Sequence, residues 1–159
     1  MNAPVRSRLQ VTLGAPPPPP PGFLPFTGAD VPALAALMWD AYRGTPDEAD
    51  VGDVQGAVRE IHLTVAGEYG AFLPGASFVA DYEGRPVGAA LVTLYRDRPL
   101  LAFLFTAPAH AGRGLGQGLV QAVMHALAAQ GHDTLTLAVT RRNRRARRLY
   151  DRLGFIEVA

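Results

Sequence analysis

Cysteine and lysine are both absent from the 159 residues. Without cysteine there is no disulfide, no thiolate nucleophile and no thiolate-ligated metal centre, and a reducing compartment is permitted. Without lysine, all 15 basic residues are Arg, which excludes a Walker A phosphate loop and any lysine Schiff base. Serine is scarce: Ser7 and Ser77 are the only two, and neither stands in a GxSxG elbow, which argues against a serine hydrolase. No apolar run approaches the ~20 residues that cross a bilayer. Arg6 and Arg8 lead into prolines instead of an apolar stretch, so no signal peptide is read and the cytoplasm is the expected compartment.

What remains suits one globular domain, with 48% hydrophobic and 18% charged residues. The net charge of +1 conceals a segregation. Residues 141–152 hold seven Arg against one Asp, whereas the rest of the chain holds eight Arg against thirteen acids. Such a split predicts an anion-seeking patch and a separate acidic face, while the near-neutral total argues against bulk affinity for nucleic acid.

Residues 1–21 read as an N-terminal extension with a possible strand over 9–13 and a polyproline linker at Pro16 to Pro21. The folded domain is expected over 22–159. Asp30 followed by Pro32 starts a helix with Leu34, Leu37, Met38 and Ala41 inward. An acidic, turn-rich stretch and a second helix through Val54, Val58, Ile61 and Val65 follow. The periodicity then changes to a three-strand antiparallel meander over 77–82, 86–95 and 100–106. A helix over 114–130, a strand over 134–140, a helix capped by Asn143 and a strand over 155–158 complete an α+β or mixed α/β layer fold.

The first chemical signal is a loop with Gly112, Gly114, Gly116 and Gly118 opening the long helix. Unpaired amides at such a helix start attract an anion, pyrophosphate above all. A GxGxxG fingerprint does not fit, which disfavours dinucleotide binding. A glycine-rich turn packed for close helix approach is the alternative.

The second signal lies downstream, where Asn143, Ala146, Leu149, Tyr150, Leu153, Gly154 and Phe155 compose NxxAxxLYxxLGF. Upstream, Leu104, Phe105, Thr106 and Pro108 end a strand, and Gly112, Arg113, Gly114, Leu115 and Gly116 follow. On these two motifs, about a third of the chain, the sequence resembles the GNAT N-acetyltransferase superfamily. The resemblance implies a mixed, mostly antiparallel central sheet with flanking helices, in which strands 100–106 and 134–140 splay apart.

It also implies acetyl-CoA as co-substrate. The pantetheine arm would lie against the backbone of Leu104, Phe105 and Thr106, and Gly112, Arg113, Gly114, Leu115, Gly116 and Gln117 would hold the pyrophosphate, with Asn143 as a further contact. A backbone amide near Phe105 would polarise the thioester carbonyl. Tyr150 would protonate the departing thiolate, although a tyrosine on an apolar helix face also serves as a core residue. The implied reaction is acetyl transfer to a primary amine, of a small molecule or a peptide, by direct attack in a ternary complex.

Two positions depart from the family pattern. Ala111 stands where Gln or Arg is usual, removing one pyrophosphate contact, and Phe103 and Ala138 stand near places where some members carry a catalytic Glu. The general base is therefore sought elsewhere. The acidic stretch Asp47, Glu48, Asp50 and Asp53 lies where the family builds its acceptor pocket, with Asp47 and Glu48 as candidates and Glu68 and Tyr69 next; a solvated acidic loop is the alternative. His110 sits beside the phosphate loop. His62, His125 and His132 lack ligand-like spacing, so no metal is predicted.

The Arg cluster at 141, 142, 144, 145, 147 and 148 is either a solvated face or a contact for the phosphates of CoA. With Tyr150 as its lone aromatic, nucleic acid is disfavoured. A catalytically silent acyl-CoA-binding module for sensing or assembly is the rival reading. The last strand ends at an edge that the segment 9–13 or a partner subunit should cover, which makes a homodimer an expectation.

Overall fold

A computed structural model describes residues 5–159. In chain order the elements are β1 (Arg6–Thr12), β2 (Phe23–Pro25), α1 (Val31–Tyr42), α2 (Glu48–Val51), α3 (Val54–Val65), β3 (Ala71–Phe72), β4 (Phe78–Tyr82), β5 (Arg85–Tyr95), β6 (Arg98–Thr106), α4 (Leu115–Ala129), β7 (Thr134–Thr140), α5 (Arg144–Arg152) and β8 (Ile156–Val158). All the strands join one sheet in the order β2-β4-β5-β6-β7-β1-β8, with β3 also paired to β5. Every pairing is antiparallel except that of β6 with β7.

Alternation along β5 explains the layers. Ala89 and Leu91 point to one face, where Leu34 and Met38 of α1 and Ala57 and Ile61 of α3 cover them. Ala90 and Val92 point to the other, where α4 contributes Leu119, Val123 and Leu127, and α5 contributes Tyr150. A strand buried on both faces has to be apolar at nearly every position, and the run from Val87 to Val92 is. Both meander turns are two-residue loops with left-handed backbone, Glu83–Gly84 (φ 51° and 79°) and Arg96–Asp97 (φ 51° and 63°). Such turns match the twist of the strands they join.

The sequence expectation for the N-terminal segment is exceeded. β1 does not cover an outer edge but lies inside the sheet, pairing with β7 along its whole length and with β8 on its other side. Its odd-numbered residues Ser7, Leu9 and Val11 are buried toward α4 and α5, as is Leu13 beyond it. A division of the chain at residue 21 therefore cuts through the sheet. The outer edge falls to β8, whose Ile156 is exposed.

The proline run joins strands five places apart in the sheet, a lateral span of roughly 24 Å at about 4.8 Å per strand. As a left-handed polyproline helix, the stretch from Thr12 to Phe23 reaches about 34 Å. Pro16 and Pro19 are half-buried while Pro17, Pro18, Pro20 and Pro21 are exposed, the three-residue repeat of that helix. Among the described residues no helix is long and apolar enough to cross a membrane.

Candidate active site

β6 and β7 run parallel but share a single registered pair, Leu100 with Thr136. Toward their C-terminal ends they part. The edge of β6 that faces β7 is thereby left without a neighbouring strand, while its other edge stays paired to β5 through Leu104, Phe105 and Thr106. The gap opens into a cleft of about 1080 Å³ that these three residues line.

One end of the cleft is built by the start of α4. Its first intrahelical bond runs from Gly118 N–H to Gly114 O (3.0 Å), so the amides of Leu115, Gly116 and Gln117 have no helical acceptor. The four glycines do different work. Gly112 and Gly114 have φ of 78° and 75° with open space around them, and they turn the loop into α4, whose first residues Leu115, Gly116 and Gln117 line the cleft. Gly116 and Gly118 are packing glycines: a methyl at the first would sit 3.1 Å from Leu149, and at the second 2.1 Å from the Phe23 ring. The loop thus holds two turning glycines and two packing glycines.

α5 forms the adjoining wall. Asn143 caps it, its Oδ1 accepting from Ala146 N–H (3.1 Å). Tyr150 is buried against Phe155, with ring centroids 5.4 Å apart, yet it also lines the cleft. Burial, and next the negative charge of Asp47, push its phenol above the ordinary tyrosine range. It therefore holds its proton throughout neutral pH, as a proton donor must.

The acidic segment is sorted by its contacts. Asp53 caps α3, accepting from Gly56 N–H at 2.7 Å. Asp50 pairs with Arg6, and Glu48 accepts from Gly44 N–H at 3.1 Å and does not reach the cleft. Asp47 alone of the four is half-buried. It accepts from the Thr140 hydroxyl at the end of β7 and from Asn143 Nδ2 (3.3 Å), and so stands at the C-terminal end of β7, beside the cap of α5.

The far end of the cleft holds Glu68, Tyr69 and Glu60. Tyr69 donates to Glu60 Oε2 at 2.6 Å, and that hydrogen bond, ahead of burial, raises its phenol to about 12.

Of the residues that the sequence nominates, Leu104, Phe105, Thr106, Gly112, Gly114, Leu115, Gly116, Gln117, Asn143, Tyr150, Asp47, Glu68 and Tyr69 line one cleft. Arg113 and Glu48 do not. Arg113 turns aside to His110 Nδ1, 3.0 Å away. Tyr42, Glu60, Tyr95 and Thr140 also line the cleft, and no local sequence signal marks them, because they arrive from four separate elements or turns.

A cleft between diverging parallel strands, with free helix amides at one end and a buried tyrosine on its wall, is the architecture of an N-acetyltransferase fold. The chain belongs to the Acetyltransferase (GNAT) family, whose profile matches residues 33–155. It is similar to the mycothiol acetyltransferase of Acidimicrobium ferrooxidans, 32% identical over 149 residues, a match covering 89% of this chain and 46% of that protein. The 5-NmdU N-acetyltransferase of Pseudomonas phage PaMx11 is 35% identical over 85 residues, 54% of this chain and 60% of that one. The fold superposes on the crystal structure of a GCN5-related N-acetyltransferase from Sphaerobacter thermophilus with a TM-score of 0.72 at 24% identity, covering 98% of this chain and 50% of that chain. The chain spans about half the length of the mycothiol acetyltransferases that it matches.

Proposed function

We propose that the chain is an acetyl-CoA-dependent N-acetyltransferase that acetylates a primary amine, of a small molecule or a peptide, with donor and acceptor bound together. One observation carries the reading: the unpaired edge of β6, the free amides of α4 and the protonated Tyr150 face the same cleft. Relatives named as acetyltransferases support acetyl over a longer acyl group.

Each part of the chain has a distinct task. The amides of Leu115, Gly116 and Gln117 hold the donor's pyrophosphate, and the edge of β6 aligns its extended arm as an additional strand. Asp47 takes a proton from the incoming ammonium, directly or through one water, freeing the nitrogen lone pair to form the C–N bond. A backbone amide near Phe105 stabilises the oxyanion that develops. As the C–S bond breaks, Tyr150 gives its proton to the leaving sulfur and is reprotonated by the second proton shed from the newly acylated nitrogen, directly or through water. Asp47 supplies from outside the central strands the carboxylate that Phe103 and Ala138 do not, which favours an enzyme over a silent binding module.

Calorimetric titration with acetyl-CoA tests the donor site. Gly114→Val places a β-branched residue at φ 75° and should weaken binding by at least ~10-fold. Tyr150→Phe should retain binding and lose ~100-fold or more in amine acetylation. Wild-type protein that binds no acetyl-CoA would refute the reading.

A further inference from the structure

We propose that Arg145, Arg148 and Arg152 form a site for a phosphate monoester, the ribose 3′-phosphate of the CoA donor. The proposal rests on the donor reading above and adds to it a subsite built by α5.

In sequence, α5 is ringed by Arg; in the structure the ring divides. The stripe of Ala146, Leu149, Tyr150 and Leu153 faces the core. On the Tyr150 flank, Arg147 Nη1 donates to Ser7 Oγ at 3.1 Å, and Arg141 Nε from the preceding turn donates to the same oxygen at 3.1 Å. Arg141 also lies 3.7 Å from the Glu157 carboxylate. These two arginines fasten β1 and β8 to α5.

On the Leu149 flank, Arg145, Arg148 and Arg152 recur at i, i+3 and i+7, a stripe about 10 Å long, and all three line the cleft. Leu149 sets this flank beside the phosphate loop, since it is the side chain that a methyl at Gly116 would meet. Among the described residues none of the three has a carboxylate within 4 Å, in contrast to Arg6, Arg43 and Arg141.

Three guanidiniums held along one wall without counter-charge repel one another, and a bound anion relieves that repulsion. The loop amides account for the pyrophosphate. The donor's remaining anion is a monoester whose terminal oxygens match the planar donor fork of Arg. The loop itself offers no cation to the cleft, because position 111 is Ala and Arg113 turns to His110. Charge for the nucleotide end of the donor therefore comes from α5.

The chain is titrated with CoA and with 3′-dephospho-CoA at fixed ionic strength. Wild-type protein should bind CoA at least ~10-fold more tightly. Arg148→Ala/Arg152→Ala should bring the two affinities within ~2-fold by weakening CoA alone, and Arg144→Ala, exposed and away from the cleft, should keep the preference. Because the substituted side chains are exposed, unchanged thermal melting is expected to accompany these results. Equal affinities in the wild type, or a preference that survives in the double variant, overturn the subsite while leaving the donor reading intact. Failure of the wild type to bind either molecule overturns both.

Discussion

At the scale of single residues, Asp47 is tied to the end of β7 and to the cap of α5, so its roles as anchor and as base have to be separated. Asp47→Asn keeps the size and most of the hydrogen-bonding capacity but cannot take a proton. We expect kcat/KM for amine acetylation to fall by ~100-fold at neutral pH and to recover as the pH nears the amine's own pKa, with acetyl-CoA affinity unchanged. Thr140→Val removes the same anchor yet leaves the carboxylate; it should cost about 1 kcal/mol of stability and preserve the shape of the pH profile. Equal losses and parallel profiles in the two variants would reduce Asp47 to an anchor.

Tyr150 makes a second prediction, on stability. Its phenol is raised in the folded protein, so above pH 10 the unfolded chain loses a proton that the folded one retains. The stabilisation is complete below that pH and drains as the pH climbs toward the folded value, by about 1.4 kcal/mol per pH unit. No lysine titrates in that window, but Tyr42 and Tyr69 are raised as well, so the contribution of Tyr150 is read as the difference between the variant and wild type. Urea unfolding at pH 9 and 11 should show a smaller drop for Tyr150→Phe than for wild type, and equal drops would contradict the burial of the phenol. The same scale marks the limit of sequence reading. Asp47 and Glu48 are neighbours with the same chemistry, and only the fold turns one to the cleft and the other to Gly44.

At the scale of elements, local chemistry was informative. Apolar alternation placed the meander and β7, and the glycine-opened helix and the NxxAxxLYxxLGF helix fell within a residue or two of α4 and α5. Two short elements, α2 and β3, escaped because four and two residues carry no period. The Arg96–Asp97 turn is an element-scale opportunity, since two non-glycine residues occupy left-handed backbone there. Asp97→Gly should raise stability by about 1 kcal/mol, read as a higher melting temperature, provided the strain outweighs the added freedom of the unfolded chain. An unchanged or lower melting temperature would show that the side chain supports the turn.

At the scale of the whole molecule, the pairing of β1 with β7 and β8 was the least legible feature. Alternation marked residues 9–13 as a strand, but nothing local names a partner more than 120 residues away. The proline run is the physical link between that strand and β2, and its stiffness should matter more than its chemistry. Replacing all six prolines with a Gly/Ser sequence of equal length preserves reach while enlarging the unfolded ensemble, for an expected loss of about 2–5 kcal/mol in denaturant unfolding. Deleting four of them leaves about 22 Å of reach, less than the lateral span, and should detach β1 or prevent folding.

The interior position of β1 also sets an order of events during synthesis. The slot it occupies is bounded by β7 and β8, the last two of the described strands in chain order. At ~5–20 residues per second, β7 follows β1 by roughly 6–25 s, and β8 comes later still. Throughout that interval Leu9, Val11 and Leu13 are made but have no seat. Arg6 and Arg8 place charge at the N-terminal end of this apolar strand, which guards it against pairing with another nascent chain. The stiff proline run then holds it away from the β4–β5–β6 meander as that forms. β1, the first of the described strands in chain order, is thus among the last of them to be seated, and its arrival closes the sheet.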